Sequence, residues 1–229
     1  MAFLLGLEPM YVSFLVMNFL NKLVSAVAAK PAKSSSAPDT LEQKLGALAS
    51  CGLRLAEPFT AEDLLTSWRR EQYEKQGWGL VLVGLSMTEE APPWRFHCEN
   101  AWHFDSECIE DHGAYTRIAE RMKSMAQGSL PIDDIRDYVD VEVGTAWLSF
   151  KFDGQELHIK CKVNDDWVDP DVFSHFVRLL RRSDPDKVYL SYYETGGQDC
   201  VFACTTRTQF ARLKQLEPVI NFVPLFALR

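Results

Sequence analysis

Positive charge is in short supply in this chain. Its 24 Lys and Arg face 32 Asp and Glu, a formal net charge of −8. That deficit argues against broad binding to nucleic-acid phosphates, which needs clustered bases. Catalytic motifs are missing too: there is no G-x-S-x-G elbow, no Walker A loop and no H-E-x-x-H helix. Six cysteines, irregularly spaced along 229 residues, are too dilute for a small secreted disulfide scaffold. Cys161, Cys200 and Cys204 lie in apolar runs, where a thiol behaves as a small hydrophobe. A reducing, cytoplasmic setting is the expectation. What the chain does have is a globular composition, 47% hydrophobic with six Trp and 14 Phe, unlike that of disordered segments.

The N-terminal segment reads as a hydrophobic helix within residues 1–29. Met10–Ala29 has a membrane-span length and one charge, Lys22. Asn18, Asn21, Lys22 and Ser25 fall at i, i+3, i+4 and i+7, one polar stripe on a helix. Three readings fit: a helix lying in the membrane interface, a marginal transmembrane anchor, or a helix packed on protein. A signal peptide fits less well, because the basic residues follow the apolar run; for a true span they would leave the C-terminal part in the cytoplasm. Residues 30–39, KPAKSSSAPD, form a linker by composition. Residues 40–229 are expected to make one globular domain.

That domain reads as α+β. Helices are expected over 40–51, from Thr60 toward Tyr73, and over 111–127. GLVLVGL at 79–85 suits a buried strand, and 131–140 a short helix or an ordered loop. The last third is clearer. Ala146–Phe152 and Glu156–Val163 alternate around the Asp153-Gly154 turn. A helix follows Asp169-Pro170. Lys187–Tyr193 and Cys200–Thr205 flank Gly196-Gly197, and a last helix covers 206–216. This ββα-ββα order predicts an antiparallel sheet built from hairpins with helices packed on one face. Trp147, Leu148, Phe150, Ile159, Phe173, Phe176, Leu190 and Phe202 are expected in one core, although alternation places Trp147 opposite Leu148.

Reactive side chains concentrate between His97 and His112, HCENAWHFDSECIEDH, with three of the five histidines and two of the six cysteines. Cys98, His103, Cys108 and His112 have the donor types for tetrahedral Zn²⁺, but not the C-x2-C opening of a knuckle. A catalytic metal could draw three ligands from His97, His103, Asp105, Glu107, Glu110, Asp111 and His112. Asn164–Asp171, NDDWVDPD, lacks the glycine and terminal Glu of an EF-hand, and Asp169 is better explained as a helix N-cap. Asp153 with His158 and Lys160 lacks the second carboxylate of a hairpin nuclease centre.

Acid is concentrated as well. Residues 97–142 hold eleven acids and four bases, so nearly all the net charge sits there. With no catalytic motif assembled, the leading expectation is a non-catalytic binding protein, inhibitor- or immunity-like, with no cofactor. Asp105, Glu107, Glu110, Asp111, Asp133, Asp134 and Asp137 would form its docking face for a basic protein partner, since a patch of one sign steers association. The alternatives are a metal-dependent hydrolase using 97–112, with zinc as the other cofactor reading, and a membrane-tethered scaffold.

Overall fold

In the computed structural model, the residues described are 40–89, 92–192, 198–216 and 222–225, which belong to one compact unit spanning 38–229. The expected N-terminal helix, the linker and the Gly196-Gly197 turn lie outside them. Thr40 opens the described chain with a reciprocal cap. Its hydroxyl accepts the Gln43 N–H at 3.3 Å, and the Gln43 side chain accepts the Thr40 N–H at 2.8 Å. Helix α1, Leu41–Ser50, follows and ends at Gly52, whose φ of +90° suits a residue without Cβ.

The helix expected from Thr60 toward Tyr73 is broken in two. Asp63 accepts both the N–H and the hydroxyl of Thr60, starting α2, Ala61–Leu64. A turn separates it from α3, Arg70–Lys75, and the break lets the Tyr73 hydroxyl reach back to Leu64 O at 2.8 Å. Residues 79–85 are not a strand. They lie in helix α4, Gly77–Ser86. An apolar run buried on several sides shows no period, so hydrophobicity alone cannot separate strand from helix there.

The strands are all antiparallel. They are β1 (Ala101–Asp105), β2 (Ile132–Asp140), β3 (Thr145–Phe152), β4 (Gln155–Cys161), β5 (Lys187–Tyr192), β6 (Asp199–Thr206) and β7 (Val223–Pro224). Helix α5, Ala114–Met125, lies between β1 and β2; α6, Asp171–Ser183, between β4 and β5; and α7, Arg207–Leu216, after β6. The expected ββα-ββα order is present, but its hairpins enter different sheets. One sheet runs β1-β6-β5-β7 and the other β2-β3-β4. The stretch 131–140, read as helix or loop, is the edge strand β2. A register shift between Asp133 and Arg136, with Asp134 at φ +51°, breaks its alternation and hid it.

Two apolar clusters share the four-stranded sheet. The first joins α5, α6 and the inner face of β2-β3-β4 to Phe104, Tyr189, Cys200, Phe202 and Cys204. Phe173 meets Phe202 at 5.0 Å and Phe104 at 5.5 Å, and Phe150 stacks on Phe176 at 5.8 Å. The second joins helices α1 to α4 and Leu213 of α7 to Leu190, Tyr192, Val201 and Ala203. Leu190 therefore leaves the single expected core. Trp147 leaves it too, standing half-buried on the outer face of β3. The three-stranded sheet carries helices on one face; the four-stranded sheet is covered on both.

Candidate functional site

The histidine-rich stretch is dispersed by the fold. His97 is buried, donates from Nδ1 to Gly84 O at 2.9 Å and packs on Phe59. Cys98 is buried in the second cluster, with Sγ bonded to Asn100 Oδ1 at 3.2 Å. His103 sits half-buried on β1, whereas Cys108 packs against the first cluster. His112 is exposed; its Nδ1 accepts the Val139 N–H at 3.2 Å and its ring lies 4.6 Å from Tyr138. Burial pushes the Cys98 thiol up, and burial followed by Asp105 pushes Cys108 to about 11, so neither favours a thiolate. Among the described residues, no three His, Cys, Asp or Glu side chains gather as a metal ligand set. The Cys98, His103, Cys108, His112 quartet is not assembled, nor is a hydrolase triad from the same stretch.

The 164–171 carboxylates have structural partners. Asp169 is buried and accepts the N–H of Lys162 at 2.8 Å and of Asp171 at 3.0 Å, holding the start of α6. Asp153 pairs with Arg182 at 2.9 Å.

The acids of 97–142 divide into groups. Asp105 ties a turn, accepting the Glu107 N–H at 2.9 Å and Gln198 Nε2 at 3.3 Å. Glu107 forms an isolated bridge with Trp167. Asp133 faces Lys151 across the β2–β3 ladder. Asp134 is gripped by Arg136 and Lys151 at 2.5 and 3.0 Å, and these partners hold its carboxyl below the usual range. Asp137 reaches across from β2 to cap α5, accepting the Gly113 N–H at 2.8 Å and the Thr116 N–H at 3.0 Å.

Only Glu110 and Asp111 of the expected docking set, both exposed, join other acids at one cleft. With Asp140, Glu142 and His112 they line a cleft of about 420 Å³ between the turn before α5 and the end of β2. None of these four carboxylates makes an ion pair among the described residues. A row of rings leads away from the cleft across the outer face of the three-stranded sheet. His112 meets Tyr138, Tyr138 stacks on Trp147 at 6.3 Å, and Trp147 meets His158 at 5.1 Å. Sequence reasoning missed Tyr138, Asp140 and Glu142 as site residues. For Tyr138 and Asp140 the signal lay in the alternating end of β2, masked by its bulge; Glu142 lies in the turn that follows.

A second concavity of about 620 Å³ lies elsewhere, between the edge strand β1 and α5, with Trp94, Phe96, Trp102 and Phe104 among its walls. Arg121 of α5 borders it, 4% exposed. Its guanidinium lies over the Phe96 ring, 3.4 Å from the centroid, and donates to the carbonyls of Cys98, Glu99 and Ala101. Burial brings this arginine down to about 10. No family model, no curated protein and no solved structure matches the chain.

Proposed function

We propose that the protein is a non-catalytic binding protein whose acidic cleft engages a basic protein partner, in the manner of an inhibitor or immunity protein. The observation that carries this reading is the convergence of Glu110 and Asp111 with Asp140 and Glu142 around one cleft, all four without an ion pair among the described residues. Unpaired carboxylates in a shared concavity focus negative potential and steer a cationic surface toward it. The adjacent rings of Tyr138 and Trp147 offer faces to an incoming arginine, a contact worth about 0.5–1 kcal/mol when exposed. Asp140 is also held in place, accepting the Val143 N–H at 2.9 Å and the Tyr138 hydroxyl at 3.3 Å. Asp105, Asp134 and Asp137 contribute to the field from outside the cleft, so the proposal rests on the cleft and not on the whole segment.

A cytoplasmic setting belongs to the same proposal, since none of the six cysteines is in a disulfide and five are buried as small apolar groups. Among the described residues no helix is long and apolar enough to cross a membrane. A tethering role would rest on residues 1–29, outside the described part. No observation favours the hydrolase.

An arginine-rich peptide tests the reading. Reversal at Glu110→Lys with Asp111→Lys should weaken its binding at least about tenfold at low salt, while Asp133→Lys, exposed but away from the cleft, should have a much smaller effect. Parent affinity should fall steeply between 0.05 and 0.5 M salt, a range over which the Debye length shrinks severalfold to a few ångströms. Equal weakening by both variants would reduce the effect to net charge and sink the cleft.

A further inference from the structure

We infer that the groove between β1 and α5 is a binding site for a small planar aromatic carboxylate. Its volume of about 620 Å³ lies in the usual range for small-ligand sites. Trp94, 59% exposed, and half-buried Phe96 and Trp102 line it with aromatic rings. Such walls favour a flat apolar ligand.

The charge of the ligand follows from Arg121. A buried cation ordinarily has an anion beside it, because desolvating a charge costs several kcal/mol. Arg121 donates to three carbonyls and, at 3.4 Å, to Ser124 Oγ, and lies over the Phe96 ring. The charge of exposed Glu99 reaches it, but among the described residues no carboxylate forms an ion pair with it, and its buried Nε–H has no acceptor. Arg117, at i−4 on the same helix and exposed, also lines the groove and makes no ion pair among the described residues. Two acids share the rim: Asp105 is held in place by the Glu107 N–H and Gln198, and Glu120 lies 4.0 Å from Lys123. Exposed Arg117, without an ion pair among the described residues and one turn from buried Arg121, is the cation left to a ligand. An extended peptide added to edge strand β1 fits less well, because Arg121 already occupies Ala101 O.

Calorimetry on the full chain, with 2-naphthoate as probe and 2-naphthylmethanol as its neutral counterpart, tests the site. The carboxylate should bind at least about tenfold more tightly than the alcohol, the difference expected of one charge-assisted hydrogen bond. Arg117→Gln, at an exposed position that leaves the fold intact, should weaken 2-naphthoate by about the same factor and leave the alcohol unchanged. Trp102→Leu should weaken both. Equal affinity for the two probes, indifference of 2-naphthoate to Arg117→Gln, or no binding at millimolar 2-naphthoate would each overturn the proposal. So would preference for an uncharged aromatic peptide, which would assign the groove to strand addition on β1.

Discussion

Asp137 illustrates how a carboxylate in an acid-rich segment can be committed to the fold. Helix α5 begins at Gly113, at φ +92°, which brings no side-chain oxygen to its own first turn. The two oxygens of Asp137 take the N–H groups of Gly113 and Thr116 instead, and their charge meets the positive end of the helix. Asp137→Ala should therefore cost about 1–2 kcal/mol in urea denaturation, with Asp137→Asn recovering part of it. A neutral result would mean that water satisfies the helix start equally well. His175 gives the residue scale a pH dependence. Burial, then the Arg178 charge, holds its pKa below the ordinary histidine value, and Arg178 Nη2 lies 3.0 Å from its Nδ1. The unfolded chain takes up this proton near pH 6.5 and the folded chain only at lower pH. The contribution is therefore complete above about pH 6.5 and is lost as pH falls through that value toward the folded pKa. His175→Gln should flatten the acid-side slope of stability between about pH 7 and 5; an unchanged slope would remove His175 as a cause.

At the scale of elements, α4 depends on one close approach. Tyr73 of α3 is buried and fixed by its bond to Leu64 O, and a Cβ on Gly84 would lie 2.7 Å from its hydroxyl oxygen. Gly84→Ala would gain helix propensity of about 1 kcal/mol but force apart two packed helices, so a net destabilisation of about 1–2 kcal/mol is expected in thermal or urea unfolding. A stabilised variant would show that Tyr73 can yield. This helix was also the least legible in sequence, because GLVLVGL is apolar throughout and α4 packs on α1 and α3 as well as the sheet. The β3–β4 hairpin was legible. Leu148, Phe150 and Phe152 alternate with polar partners, and Asp153-Gly154 takes positive φ at both residues. So was α6, whose Val172, Phe173, Phe176 and Leu180 repeat at helical spacing. β2 was lost to its bulge. In the candidate site the excess of acid was readable, but the division of labour within it was not. Asp105, Asp134 and Asp137 are committed by Gln198, Lys151 and Gly113, partners brought to them by the fold.

For the molecule as a whole, β6 joins what its neighbours separate. Cys200, Phe202 and Cys204 enter the first cluster, while Val201 and Ala203 between them enter the second. Such a strand has no solvent face, which is why its sequence reads as a continuous apolar run. β1 and β5 flank it in the ladder, so it is hydrogen-bonded on both edges. Neither cluster can come apart fully without stripping one side of this strand. The two halves should therefore melt together, and the backbone amides of Val201 to Cys204 should exchange with deuterium only when the whole unit opens. If they exchange at a lower opening energy than those of α6, the two clusters are separate folding units. If they are the last to exchange, this one strand sets the kinetic lifetime of the native state. Occupancy of either concavity would then be read out as slower exchange at amides that no bound molecule touches.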